Sequence, residues 1–276
     1  MAALLVKAAD WLAGDEARLE AELLLAHVLG KPRSWLYAHA DQVVGESEAR
    51  AFQSLLGRRH GGEPIAHILG SRQFWSLELV VTADTLIPRP ETELLVELAL
   101  LRVPDRSVAA RVLDLGTGSG AIALAIAHDR PLARVTAVDA QARALEVARK
   151  NAARLGLDRI RFLHSDWFSA IRDEAFDLVV SNPPYIADDD PHLLSVDLLS
   201  EPRSALASGP DGLDALRRIA AEASAHLAPG GWLLLEHGYQ QAAQVRALLG
   251  AAGLIGVETF TDLEGRDRVT VGRTAG

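Results

Sequence analysis

The tetrapeptide Asn182-Pro183-Pro184-Tyr185 is the part of the sequence whose residue types point most directly to chemistry. It follows the apolar run 176–181, which predicts a buried strand. The two prolines end that strand, fix φ at adjacent positions and remove two N–H donors, which leaves carbonyl oxygens as acceptors. Asn182 adds an amide and Tyr185 adds a flat ring. Such a rigid loop suits a planar NH2 group, although a simple strand-ending turn is the alternative.

An amide or aromatic NH2 group is a poor nucleophile because its nitrogen lone pair is delocalised into a π system. Two acceptors that hold its two hydrogens fix its orientation and raise the electron density on nitrogen. The side-chain oxygen of Asn182 and the backbone carbonyl of Pro183 suit this task, and their dipoles stabilise the positive charge that develops on nitrogen. Tyr185 can pack on the acceptor group and complement that charge. We therefore predict that Asn182, Pro183 and Tyr185 are catalytic.

A glycine-rich segment, residues 114–120, follows the first strand of an alternating region, and Ala121 then opens a helix. Glycines let the backbone turn sharply and let a ligand approach closely. About 20 residues further on, Asp139 ends the next predicted strand, where a carboxylate can hold a ribose diol. This spacing predicts a nucleoside cofactor at the carboxyl ends of the strands, whereas a tight turn without a ligand is the alternative.

The spacing of the glycines favours one cofactor over another. Dinucleotide sites usually show G-x-G-x-x-G, whereas this loop reads G-x-G-x-G and is preceded by Asp114. S-adenosylmethionine has no phosphate and carries an ammonium, a carboxylate, a sulfonium and a ribose diol. Acidic and carbonyl groups suit its cationic parts better than they suit a pyrophosphate. We therefore predict S-adenosylmethionine as the methyl donor and S-adenosylhomocysteine as the product.

The segment Ser165-Asp166-Trp167 ends the third predicted strand of the alternating region. Asp166 can accept from an adenine amino group, and Trp167 can stack on the base. A helix-capping aspartate beside a tryptophan at the edge of the core is the alternative.

Other kinds of catalytic centre find little support in the chain. It has no cysteine, which excludes disulfides and thiolate metal sites, and none of its nine histidines forms a metal-spaced pair with a partner acid. No Gly-x-Ser-x-Gly elbow follows a strand. The donor cofactor must then supply the chemistry while the protein orients the reactants, and no metal is predicted.

The composition of the chain limits which partners and which cellular location are expected for the protein. The formal net charge of -9 disfavours nucleic acid as the main partner. No uncharged apolar stretch is long enough to span a bilayer, and the N-terminus is too charged for a signal peptide. Together with the absence of cysteine, these features predict a cytoplasmic protein without a membrane partner.

The 276 residues divide by pattern into three parts. Residues 1–62 are helical, 63–90 include a β-hairpin, and 91–276 alternate strands with helices, which predicts a mainly parallel α/β sheet. The predicted strands are 112–115, 135–138, 160–163, 178–181, 232–235, 257–261 and 269–271. The predicted helices of this region are 121–127, 142–155, 213–227 and 240–251. The last two strands form a hairpin, so one strand is antiparallel, and the long polar segment 186–211 is typical of functional loops.

The chain resembles the protein-(glutamine-N5) methyltransferases that modify peptide chain release factors, the HemK/PrmC-type family. The resemblance covers nearly the whole chain, more weakly in the first 60 residues. Its motifs lie at residues 63–68, 74–77, 86–93, 114–120, 165–169, 182–186, 201–202 and 235–238.

The resemblance implies a Rossmann-like, seven-stranded methyltransferase domain at 91–276, a hairpin linker at 63–90 and a helical substrate-docking domain at 1–62. It implies the glutamine of the Gly-Gly-Gln motif in class 1 release factors as acceptor. The implied donor contacts are Gly116, Thr117, Gly118, Ser119, Gly120, Asp139, Trp167 and Asn182, and the implied acceptor contacts are Asn182, Pro183, Pro184 and Tyr185. Arg89, Glu91 and Glu201 lie in family-like motifs, where a structural ion pair and a catalytic role are both open.

Three other functions remain as alternatives. An amino-methyltransferase acting on adenine or cytosine in DNA uses a similar tetrapeptide, but it must flip a base and neutralise phosphates. A methyltransferase for a glutamine of a ribosomal protein is harder to exclude by physical argument. A non-catalytic cofactor-binding or ribosome-interaction module has no use for an intact acceptor tetrapeptide.

Overall fold

The computed structural model describes residues 1–195 and 197–276. The chain divides into two compact units. The first contains residues 1–71 together with 197–200, and the second contains 72–195 and 201–276.

The first unit is helical. Its helices are α1 (Ala2–Leu12), α2 (Ala17–Leu29), α3 (Arg33–Ala38), α4 (Glu46–His60) and α5 (Ile65–Leu69). Leu24, Leu25 and Phe52 are fully buried in its core. Helix α2 ends at Gly30, whose φ of +61° is the left-handed conformation that glycine adopts at low cost. Short α5 lies within the segment 63–90 predicted as a hairpin linker and was not predicted, since it is too short to show helical periodicity.

The second unit alternates strands with helices, as the sequence predicts. Its first part contains β1 (Ser71–Phe74), β2 (Leu77–Val80), α6 (Glu93–Arg102), β3 (Arg111–Leu115), α7 (Ala121–Asp129), β4 (Arg134–Asp139), α8 (Ala142–Arg154), β5 (Arg161–His164) and β6 (Phe176–Ser181). Its second part contains α9 (Asp214–Ala223), β7 (Leu227–Glu236), α10 (Ala242–Ala251), β8 (Ile255–Thr261) and β9 (Asp267–Arg273). Strand β1 begins at Ser71, the last residue of the first unit.

Among the described residues, seven strands form one sheet in the order β5-β4-β3-β6-β7-β9-β8. Strands β3 to β7 are parallel, and β9 is antiparallel to both of its neighbours. This confirms the predicted α/β sheet with one antiparallel strand. The order reverses between β3 and β6, so the carboxyl ends of these two strands flank the crevice where α/β sheets bind ligands.

The sheet is buried on both faces. Leucines and alanines of α6 and α7 pack with Val112, Val180 and Leu234 on one face. Residues of α9 and α10 pack with Leu113, Val179 and others on the opposite face. Because both faces are covered, strands β3 and β6 read as continuous apolar runs rather than as alternating ones.

Some element boundaries differ from the predicted ones. Strand β7 begins at Leu227, five residues before the predicted start, because the strand continues through the Gly230-Gly231 pair. The helix predicted to reach residue 227 accordingly ends at Ala223. The turn of the β1–β2 hairpin contains Trp75, whose φ of +56° places a bulky residue in a conformation that sequence patterns assign to glycine.

No helix among the described residues is both long and apolar enough to cross a membrane.

Candidate active site

A cavity of about 200 Å³ lies at the carboxyl ends of β3, β4 and β6 in the second unit. The segment 84–92, the glycine loop, the ends of β4 and β5 and residues 202–205 contribute to its wall. Its lining includes the predicted site residues Gly116, Thr117, Gly118, Ser119, Asp139, Asp166, Trp167, Asn182 and Pro184. Gly120, Pro183 and Tyr185 are next to lining residues in sequence but are not part of the described wall.

Four of the five backbone amides of the glycine loop, residues 116–120, donate hydrogen bonds within the protein. Gly116 N and Thr117 N both donate to the carbonyl of Val138 at 2.9 Å. Gly118 N donates to the Asp139 carboxylate at 2.8 Å, and Gly120 N donates to the carbonyl of Thr117 at 2.8 Å. A pyrophosphate site needs such amides free to face its ligand, so these four amides are not arranged to hold a phosphate.

The three glycines of the loop have a positive φ, and at one of them an added Cβ would also be crowded. Gly116 has φ +70°, and a Cβ there lies 3.5 Å from the Trp167 ring, inside the space between the loop and that ring. Gly120 has φ +86°, and a Cβ there lies 3.0 Å from Leu124 Cδ1 and 3.2 Å from Ala148 Cβ. The absence of a side chain at Gly116 therefore leaves space on the ligand side of the loop, and its absence at Gly120 lets α7 pack closely on the other side.

Asp114 supports the glycine loop from its buried side and is not part of the cavity wall. Its side chain is fully buried, and its Oδ2 accepts from the Thr117 hydroxyl at 2.6 Å and from Ala123 N at 3.2 Å. Burial raises the pKa of Asp114 to about 7. Its Oδ1 has no hydrogen-bond partner among the described residues.

Asp139 ends β4 and faces the cavity, as predicted. Its carboxylate accepts from Gly118 N and from Gln141 N, each at 2.8 Å, so two backbone amides fix its orientation. Burial raises the pKa of Asp139. A carboxylate held in this way can accept from the two hydroxyls of a ribose.

Trp167 has a left-handed backbone with φ +50°, which is costly for a bulky residue. Ser165 supports this conformation, because its hydroxyl donates to the Trp167 carbonyl at 2.7 Å and accepts from Ala170 N at 3.0 Å. The carboxylate of Asp166 accepts from Arg218 at 2.7 Å on the surface. Its predicted contact with an adenine amino group stays a prediction.

The Asn182 side chain is oriented by a residue that sequence reasoning did not single out. Its Nδ2 donates to the Thr92 hydroxyl at 3.1 Å, which leaves the amide oxygen available to accept a hydrogen bond from a substrate. Thr92 is buried and ends the 3-10 turn Pro90–Thr92 that precedes α6. Thr92 also lies against Glu236: burial raises the pKa of Glu236 to about 7, and the hydroxyl of Thr92 lowers it in part.

The other end of the tetrapeptide is held through its backbone. The carbonyl of Tyr185 accepts from Gln241 Nε2 at 3.0 Å, and Gln241 Oε1 accepts from Gly238 N at 2.9 Å. Ile186 then forms a parallel bridge with Ala207. The loop that begins with two prolines is therefore fixed at both ends.

Two further supports were not predicted from sequence. The buried side chain of Asn151 on α8 donates to the carbonyls of Ser119 and Val80 and accepts from Val80 N, which ties the glycine loop to strand β2. Buried Glu201 pairs with Arg89 and accepts from Ile87 N at 2.8 Å. For Glu201 the ion-pair alternative is therefore the one that the geometry supports.

The lining fits S-adenosylmethionine better than a dinucleotide. Four of the five loop amides are engaged, one of them by a carboxylate, and Asp139 faces the cavity. The flat Trp167 ring lies where a Cβ on Gly116 would fill the gap between them. Carboxylates of Asp84, Asp139 and Asp166 give the wall a negative character that suits a ligand with a sulfonium and an ammonium. The described residues contain no group of three or more potential metal ligands.

Comparisons with known proteins point in the same direction. Residues 91–213 match the family model described as Methyltransferase small domain, and residues 3–70 match the model described as PrmC N-terminal domain. A release factor glutamine methyltransferase of Xylella fastidiosa is 55% identical over 94% of this chain and 94% of its own length. One from Pseudomonas aeruginosa is 51% identical over 94% and 93%. A methyltransferase structure from Pyrococcus furiosus covers 73% of this chain and 91% of its own, with a TM-score of 0.54 and 16% identity, which is a likeness in fold alone.

Proposed function

Because the chain belongs to the family of release factor glutamine methyltransferases, we propose that it transfers a methyl group from S-adenosylmethionine to the side-chain amide nitrogen (N5) of a glutamine in a peptide chain release factor. We infer that this glutamine belongs to the Gly-Gly-Gln motif of class 1 release factors and that its methylation modulates translation termination. The observation that carries the proposal is the Asn182 amide, held by Thr92 at the wall of a cavity that also contains the glycine loop and Asp139.

The protein's part on the donor side is binding and orientation. When bound, S-adenosylmethionine supplies a methyl group on a positively charged sulfur. Asp139 would accept from the ribose hydroxyls, Trp167 would pack on the flat base, and the glycine loop would allow close approach of the ligand. The product left in the same site is S-adenosylhomocysteine, and no metal takes part in this proposal.

On the acceptor side, the tetrapeptide would hold the planar amide of the substrate glutamine beside the donor site. The Asn182 side-chain oxygen and the Pro183 carbonyl accept the two hydrogens of the glutamine NH2, which leaves its nitrogen lone pair directed at the donor. Both dipoles stabilise the positive charge that develops on nitrogen. Fixing two reactants in this geometry replaces an encounter of free molecules, and this supplies much of the rate.

No strong base is required in this scheme. The methylated amide nitrogen is acidic and loses its proton readily to water. Tyr185 does not take that proton, because burial raises the pKa of Tyr185 above its ordinary value and the hydroxyl stays protonated. Its contribution is the ring, which packs beside the acceptor amide.

The first 62 residues are proposed as the part that helps dock the release factor, with 63–90 as linker and 91–276 as the methyltransferase domain. A cytoplasmic location, where release factors act, stays a prediction. The net charge of -9 weighs against DNA as substrate.

The function is tested with a labelled methyl donor and four possible acceptors. These are a purified class 1 release factor, its Gly-Gly-Ala variant, double-stranded DNA and ribosomal protein. We expect label on the parent release factor alone. Label confined to DNA or to a ribosomal protein, or equal label on the Gly-Gly-Ala variant, would refute the proposal.

The Thr92→Val substitution tests how Asn182 is positioned. Valine has nearly the same shape but cannot accept from the Asn182 amide, so the amide is free to rotate. The substitution also removes the hydrogen bond between Thr92 and Glu236. We expect kcat to fall about tenfold or more, since loss of the contact with Asn182 alone is equivalent to roughly 1–1.5 kcal/mol, while the affinity for S-adenosylhomocysteine changes less. The matched control is Thr92→Ser, which keeps the hydroxyl and should retain most of kcat. An equal loss in the serine variant would mean that Thr92 acts through packing instead.

A further inference from the structure

Arg89 is the one positively charged side chain in the cavity wall, among the residues that the structure describes. The other charged lining residues are the acids Asp84, Asp139 and Asp166. A wall of this composition favours a cationic ligand, and Arg89 is the lining residue whose charge favours an anionic group.

The guanidinium of Arg89 is held in place by a buried carboxylate. One terminal nitrogen of Arg89 donates to Glu201 Oε1, and Glu201 Oε2 accepts from Ile87 N at 2.8 Å. The Glu201 side chain is 0% exposed, whereas that of Arg89 is 33% exposed. The ion pair therefore uses one edge of the guanidinium, and no other hydrogen bond from Arg89 is found within the described part of the chain.

The proposed donor contains one anionic group, its α-carboxylate, which needs hydrogen-bond donors when it leaves water. The amides of Gly116 and Thr117 already donate to the carbonyl of Val138, that of Gly118 to the carboxylate of Asp139 and that of Gly120 to the carbonyl of Thr117. A guanidinium presents a planar fork that matches a carboxylate, and Arg89 is fixed in advance by Glu201.

We propose that Arg89 binds the α-carboxylate of the methyl donor and that Glu201 holds Arg89 in position for this contact. The inference rests on the proposed function only in taking S-adenosylmethionine as the donor. It assigns to Arg89 a binding role and to Glu201 a positioning role, and it explains why a fully buried acid lies beside the cavity.

The test compares two ligands that differ in the carboxylate alone. These are S-adenosylhomocysteine and S-adenosyl-3-thiopropylamine, and their dissociation constants are measured by calorimetry on the full chain without any acceptor. We expect Arg89→Met to weaken S-adenosylhomocysteine by about 10- to 100-fold, as for a hydrogen bond to a charged group. The amine should change less than about threefold, within ordinary context dependence of a side-chain replacement.

A second variant keeps the test clear of misfolding. Arg89→Met leaves the buried Glu201 without its cation, so the double change Arg89→Met with Glu201→Gln removes both charges together. The double variant should show the same loss of preference for S-adenosylhomocysteine over the amine. As a matched control, Arg266→Met removes an arginine that is 56% exposed, pairs with Glu264 at 2.8 Å and is not part of the cavity wall, and it should leave the preference for S-adenosylhomocysteine over the amine intact.

The outcomes separate this inference from the proposed function. Equal weakening of both ligands in both Arg89 variants, or no weakening of either, would overturn the role of Arg89 and would direct attention to the first turn of α7. If the parent protein binds neither ligand, the proposed donor is wrong and the inference falls with it. If the parent prefers S-adenosylhomocysteine to the amine and the Arg89 variants lose this preference, but the parent methylates no release factor, the acceptor assignment fails while the role of Arg89 stands.

Discussion

Methyl transfer to the release factor is expected to be lost when Asn182 is replaced with alanine, with kcat lower by on the order of 10²- to 10³-fold or more. Asn182 supplies one of the two proposed acceptors for the glutamine NH2, and loss of one preorganised polar group at a reacting centre typically costs this much. Binding of S-adenosylhomocysteine should weaken but stay measurable, because Asp139, Trp167 and the glycine loop are untouched. Single-turnover kinetics and calorimetry measure the two effects separately.

Two controls accompany the Asn182→Ala variant. Asn182→Asp keeps an acceptor oxygen of the same reach but cannot donate to Thr92, so we expect activity between that of the parent and that of the alanine variant. Gln240→Ala removes an exposed amide outside the cavity and should leave kcat unchanged. If Asn182→Ala retained more than about a tenth of parental kcat, the residue would not orient the acceptor, since the expected losses are larger.

The parts of the site that are predictable from sequence are those that depend on strand ends. Strands β3, β4 and β6 read as short apolar runs, and parallel strands bring their carboxyl ends to one edge. These two facts are enough to place the glycine loop, Asp139 and Asn182 together from the amino-acid pattern alone. The resemblance to a known family added the acceptor, which no physical pattern in the tetrapeptide identifies.

The supports of these residues could not be predicted because they come from distant parts of the chain. Thr92 lies 90 residues before Asn182, and Ile87 lies 114 residues before Glu201. Neither pairing leaves a local trace, since threonine and glutamate occur commonly on surfaces. Trp167 illustrates a second limit: its left-handed backbone is supported by a hydrogen bond from the Ser165 hydroxyl to its carbonyl, and local propensity argues against it.

The Gly212→Ala substitution is expected to cost the second unit about 2–5 kcal/mol of unfolding free energy and to reduce methyl transfer as well. Gly212 has φ +73°, a backbone conformation that costs an L-residue roughly 1–2 kcal/mol. In addition, a Cβ at this position overlaps the carbonyl oxygen of Tyr185 and lies 2.9 Å from Gln241 Nε2, and overpacking of this kind costs about 1–3 kcal/mol. Relief of the overlap must move the Tyr185 carbonyl, which is the backbone anchor of the acceptor loop.

A second glycine separates these two contributions. Gly253 has φ +81°, and no atom lies within 4 Å of the position that an added Cβ would take, so Gly253→Ala introduces the backbone strain without the overlap. We expect urea unfolding to show a loss of about 1–2 kcal/mol for Gly253→Ala with unchanged kcat, against the larger loss and lower kcat for Gly212→Ala. Equal losses in the two variants, with full activity in both, would mean that the Tyr185 carbonyl can shift freely. The position of the segment 182–185 would then depend on its other contacts, such as that with Thr92, because the contact through Gln241 would contribute nothing to catalysis.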